Sequence, residues 1–156
     1  MTLNRCWLVC GWVLLSLFGL VLPGCSISTD DNDIEFITLP ELRRELERDS
    51  KGEKVQLIDS RSATAHAQGH IPGSRHMPLT AFNVRETTLD RGLAEKDLLV
   101  VYGDDPASPT ARAVAKRMMA LRYKGVVMFA EGLTAWRRAG LPLTEPAVQG
   151  AAPASR

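Results

Sequence analysis

The sequence predicts one α/β domain, a mainly parallel sheet with helices on both faces. Three observations predict it. Short, mostly apolar runs at Val55–Asp59, Leu98–Tyr102 and Val126–Phe129 suit strands buried on both sides. Each run gives way to a turn and then to residues with helical spacing, so strands and helices alternate. Of the 156 residues, about 110 remain once both ends are set aside, enough for one workable core.

The amino end differs from the rest. Met1–Arg5 carries one positive charge, Trp7–Leu22 is uncharged and mostly Leu, Val, Trp and Phe, and Leu22-Pro23-Gly24-Cys25 follows. A charged start, an apolar core and small residues before a cut site describe an export signal over residues 1–24. The apolar run, about 16 residues, falls short of the ~20 that span a bilayer. Its ending is similar to the lipobox of bacterial lipoproteins. That resemblance implies cleavage before Cys25, acylation there by fatty chains such as palmitate, and attachment to a membrane of the cell envelope. Ser26 is not the aspartate that resembles an inner-membrane retention signal, so a Gram-negative source implies the outer membrane, facing the periplasm. Residues 25–33 are polar and acidic and read as a flexible tether. Asp30, Asp31 and Asp33 lack the glycine and distal glutamate of a calcium loop, and no metal site is expected.

The domain proper spans residues 34–145. Phe36–Ile37 reads as a short edge strand, and Thr38-Leu39-Pro40-Glu41 as a capping box opening a helix to about Asp49, with Leu39, Leu42 and Leu46 on one face. Val55–Asp59 follows the turn Ser50-Lys51-Gly52. Ser62 caps a short helix through Gln68 that Gly69 stops, and His70-Ile71-Pro72-Gly73 turns into an extended piece, Ser74–Pro78. Leu79–Lys96 reads as polar and irregular. After Leu98–Tyr102, a helix is expected from Pro109 to Tyr123 with Val114, Met118 and Leu121 as its apolar stripe. Val126–Phe129 is the last strand, Leu133–Ala139 the last helix, and 146–156 a loose tail.

Between Leu98–Tyr102 and its helix lies the loop Gly103, Asp104, Asp105, Pro106, Ala107, Ser108. Ser108-Pro109 reads as an N-cap with proline at the first helical position. Strand, tight loop and helix aim backbone N–H groups and a positive helix end into one hollow, where α/β proteins usually carry their chemistry. The loop offers no cysteine, histidine, lysine or arginine before Arg112. All three cysteines, Cys6, Cys10 and Cys25, lie in the first 25 residues. The domain therefore has no disulfide, cysteine-zinc site or thiolate nucleophile of its own. Setting residues 1–24 aside removes only Arg5 from the 19 Lys and Arg, leaving 18 against 18 Asp and Glu. A neutral domain without a basic, aromatic-interleaved face is not a nucleic-acid binder.

VQLIDSR, GHIPGSRHMPL, LLVVYG, RYKGV and EGLTAWRRAGLPL, in this order and spacing, resemble the rhodanese-like domain from Ile34 to about Glu145. The resemblance implies a five-stranded parallel sheet flanked by helices and, in active members, sulfur transfer through a cysteine persulfide. It places that cysteine between Gly103 and Ser108, where none stands. Ser108 is a far weaker nucleophile without an adjacent base, and Asp104 and Asp105 repel the anion that the helix end attracts. The loop carboxylates are expected to accept the loop's own N–H bonds. Glu131 stands where the family usually has a glycine, and His66 where an aromatic is usual. Asp59, Arg61, His70, Gly73, Gly132 and Trp136 survive from the family pattern, with Asp59 and Arg61 expected to tie the sheet's end to the GHIPG turn.

These readings favour a lipid-tethered, non-catalytic rhodanese-like module that binds a protein or small ligand, with no cofactor. A sulfurtransferase with an atypical site is the alternative, and a third is an anion sensor whose pocket gathers Asp59, Arg61, His70, Arg75 and Arg112.

Overall fold

The structure, a computed structural model, describes residues 31–82, 89–106 and 108–145. The signal segment, most of the tether and the tail lie outside the described residues. The elements are β1 (Glu35–Phe36), α1 (Leu39–Arg48), β2 (Val55–Asp59), α2 (Ala63–Gln68), β3 (Arg75–His76), α3 (Arg91–Ala94), β4 (Leu98–Tyr102), α4 (Pro109–Ala120), β5 (Val126–Phe129) and α5 (Gly132–Arg138). One five-stranded sheet runs in the order β1-β5-β4-β2-β3, and every pair in it is parallel. Strand, crossover helix, strand is the arrangement that the alternation predicts.

Because β4 is hidden on both faces, its side chains build two cores. Leu57, Val100, Tyr102, Val127 and Phe129 meet Leu42 of α1 and Leu133 and Trp136 of α5. Ile58, Leu99, Val101 and Met128 meet Ala111, Val114, Ala115 and Met118 of α4, with Leu93 of α3 and Ile34. Among the described residues, no helix is long and apolar enough to cross a membrane.

Local chemistry explains the boundaries. At the start of α1, Glu41 Oε2 accepts from Thr38 N–H at 2.9 Å and Thr38 Oγ1 at 2.7 Å, which holds the Glu41 carboxyl below the usual range. Ser62 Oγ accepts from Ala65 N–H at 3.2 Å and opens α2. Three expectations change. The segment Leu79–Lys96 holds a 3-10 turn at Leu79–Ala81 and the helix α3, which Asp90 caps by accepting from Leu93 N–H at 3.1 Å; residues 83–88 of it lie outside the described residues. Helix α4 stops at Ala120, because Arg122 takes φ 66° and reverses the chain; Leu121 is left half-buried, and Ala111 and Ala115 complete the apolar face instead. Asp31–Asp33, at the end of the segment read as tether, forms a 3-10 turn, and Lys116 Nζ of α4 donates to Asp31 Oδ1 at 2.8 Å.

Candidate functional site

Two loops at the carboxyl ends of β2 and β4 form the site. Asp59 ends β2 with its side chain fully buried, and the Arg61 side chain beside it is 4% exposed. Two charges leave water together only when they pair closely and use up their hydrogen bonds. Arg61 does so. Its Nε donates to Asp59 Oδ1 at 2.9 Å, its Nη2 to Asp59 Oδ2 at 2.6 Å and to the Gly69 carbonyl at 2.8 Å, and its Nη1 to Asp104 Oδ1 at 3.1 Å. Burial pushes the Asp59 carboxyl up, but hydrogen bonds from Arg61 and His66 outweigh it and leave the group below the usual carboxylate range. Burial lowers the Arg61 guanidinium, and Asp59 more than restores it.

Tyr102, last residue of β4, lies beside Asp59 in register. Its hydroxyl donates to Asp59 Oδ2 at 3.0 Å, accepts from Ile71 N–H at 3.3 Å and lies 2.9 Å from Ser74 Oγ. Burial first, and then the Asp59 charge, push the phenol well above its ordinary value. The end of the sheet is thereby tied to the GHIPG turn through Gly69 and Ile71, as the sequence predicts for Asp59 and Arg61.

The chain contains three histidines, and all three gather here. His66 Nδ1 sits 3.0 Å from Asp59 Oδ2, His70 Nδ1 2.9 Å from the His66 carbonyl, and His76 Nε2 2.9 Å from the Arg61 carbonyl. The His66 and His70 rings stack with centroids 3.9 Å apart and 11° between planes, and His76 tilts against His66 at 5.0 Å. His66 thus combines a ring stack on His70 with a hydrogen bond to Asp59. Among the described residues no group of His, Cys, Asp or Glu is placed to hold a metal ion.

The loop after β4 is filled from within. A β-carbon on Gly103 would fall on Ser108 Oγ and lie 3.3 Å from Ala111 Cβ. Gly103 is therefore glycine for space and not for an unusual backbone angle. Ser108 stands at the N-cap position, yet its hydroxyl makes no capping bond; it pairs with Thr110 Oγ1 at 3.0 Å. Thr110 Oγ1 lies 3.5 Å from Ser60 Oγ, which donates to the Tyr102 carbonyl at 2.8 Å. The expected self-capping of the loop by its carboxylates is corrected for Asp104, whose charge goes to Arg61 because that guanidinium has an Nη1 left after Asp59. The Asp105 carbonyl accepts from Ser108 N–H at 3.1 Å. Ala107 lies outside the described residues.

The loop's carbonyls also serve a neighbour. Leu133 N–H of α5 donates to the Gly103 carbonyl and Thr134 N–H to the Asp104 carbonyl, both at 2.9 Å. This close approach requires Gly132, at φ 63°, where a β-carbon would stand 2.8 Å from the Gly103 and Asp104 carbonyl oxygens. Glu131, one residue before, reaches elsewhere: its Oε2 accepts from Leu39 N–H of α1 at 2.7 Å.

The expected pocket of Asp59, Arg61, His70, Arg75 and Arg112 is not assembled. Arg75 pairs in register with Ile58, not with Asp59, so it projects from the other face of the sheet and donates to Asp90 Oδ2 at 2.7 Å. Arg112 lies on α4, and its charge adds to the Lys116 hydrogen bond in lowering the Asp31 carboxyl. Only Asp59, Arg61 and His70 come together, joined by His66, His76, Tyr102 and Ser74, which the sequence did not mark as site residues. The spacing of His66, His70 and His76 was visible, but the strand register that stacks them was not.

Comparison with solved structures finds the same fold. The BH2092 protein of Bacillus halodurans matches with TM-score 0.61 and 23% identity over 71% of this chain and 77% of its own. The rhodanese-like domain of the Alr3790 protein from Anabaena sp. matches with TM-score 0.55 and 22% identity over 78% and 86%. The As-Sb reductase of Leishmania major matches with TM-score 0.55 and 19% identity over 69% and 79%. At such identities these likenesses speak for the fold alone. Comparison with curated proteins finds no match. The model of the rhodanese-like domain matches residues 42–139, a span holding both loops, and the chain belongs to the rhodanese-like domain family.

Proposed function

We propose that this chain is a lipid-tethered rhodanese-like module of the cell envelope that binds a partner and does not transfer sulfur. The observation that carries the reading is the filled loop: Ser108 Oγ occupies the space that a side chain at Gly103 would need, and no thiol follows Cys25. Persulfide chemistry needs a thiolate that attacks a sulfane sulfur and then leaves. A serine hydroxyl bonded to Thr110, with no histidine among its hydrogen-bond partners, supplies neither step. Acylation consumes the one thiol that the mature chain would retain.

The anion-sensor reading is weaker. Arg61 is matched by Asp59 and Asp104, so that spot carries a surplus of negative charge and repels an anion. The test is turnover of thiosulfate with cyanide by the full chain purified from membranes. Thiocyanate is expected at the uncatalysed rate only, and production above it overturns the reading. Fatty-acid labelling is expected to vanish in Cys25→Ser, and labelling that persists ends the lipid-anchor part.

A further inference from the structure

The chain's covalent length limits which way an anchored domain can face. Asp31 is held against α4 by Lys116, and Ile34 is buried in the core that α4 covers. The described chain therefore begins on the α4 face of the sheet. Asp59 is in register with Tyr102 and His76, and Tyr102 belongs to the core beneath α1 and α5. The His66–His70 stack and the tilted His76 beside Asp59 consequently lie at the carboxyl ends of the strands, toward the opposite face. From Cys25 to Asp31 the chain takes six residue steps, which at ~3.3–3.6 Å each reach at most about 20 Å. A domain of about 110 residues is roughly 34 Å across. The leash is shorter than the body it holds.

We propose that lipid on Cys25 sets the domain down on its α4 flank and turns the face carrying His66, His70 and His76 toward the aqueous compartment. The inference rests on the lipid-anchor reading above.

Because the domain is thiol-free beyond Cys25, a fluorophore can be placed at one introduced cysteine. Ala120 of α4 and Gln68 of α2 are both exposed. Full-length Ala120→Cys and Gln68→Cys chains, lipidated in cells, are labelled and moved into phosphatidylethanolamine–phosphatidylglycerol vesicles bearing headgroup nitroxides. Quenching is expected to be several-fold stronger at position 120 than at 68, and a long Gly-Ser insertion after Ser28 is expected to erase the difference. Equal or reversed quenching in chains that float with the vesicles overturns the orientation alone. A difference that survives the insertion overturns the leash as its cause. Chains that do not float end the lipid-anchor reading and this inference with it.

Discussion

At the end of β2 a carboxylate and a guanidinium are shut away from water together, whereas at the end of β4 the Asp104 side chain is 60% exposed. Both loops belong to one fold, and the second carries no cysteine. The difference follows from what each residue is held by. Asp59 answers Arg61, His66 and Tyr102 at once, so a change there strands a buried charge. Gly103 and Ser108 meet each other, Thr110 and the Leu133 N–H, none of them charged, so their replacement strands no buried charge. A buried ion-pair knot of this kind holds the fold together and is by itself no sign of chemistry.

The contrast can be broken hardest at Asp59. Asp59→Asn leaves the buried Arg61 only the mostly exposed Asp104 carboxylate as countercharge and is expected to cost about 3–5 kcal/mol, read as a drop in denaturant midpoint at pH 7. The sign of the pH effect follows from the lowered carboxyl. Its folded value lies below the unfolded one, so its stabilisation is whole above about pH 4 and fades as the pH falls through the folded value. The midpoint of the parent chain is expected to fall more steeply below pH 4 than that of Asp59→Asn. Parallel curves would show that Asp59 is not the ionised centre of the knot.

A smaller effect sharpens the other side. Gly103→Ala forces a methyl group onto Ser108 and is expected to cost about 1–3 kcal/mol, which Ser108→Gly in the same chain largely returns. A Gly103→Ala chain as stable as its parent would mean that Ser108 does not fill the loop. Smallest of all is Asp104→Asn, expected below about 1 kcal/mol because the Arg61 contact is made from a mostly solvated carboxylate. A loss as large as that of Asp59→Asn would merge the two loops into one cooperative unit.

The strands were legible because a parallel sheet covered on both faces makes its central members continuously apolar, and Val55–Asp59, Leu98–Tyr102 and Val126–Phe129 match the observed spans. Ser62, Thr38 and Glu41 were legible because caps act within four residues. The site was only half legible. Asp59 and Arg61 sit two residues apart and announce their pairing, but Arg75 falls on the other face of the sheet from Asp59, and that depends on register across strands. Ser108 misled for a related reason. Its neighbour Pro109 fixed the start of the helix correctly, while the direction of its hydroxyl was decided by the empty space above Gly103.

One feature of the sheet bears on time as well as space. The first strand, Glu35–Phe36, pairs only with the last, Val126–Phe129, and Leu39 finds its carboxylate partner 92 residues further on. A chain delivered amino end first must leave its opening strand idle until almost everything else has arrived. Such distant closure makes for slow assembly, and under the export proposed above it would keep the chain open while it is threaded through.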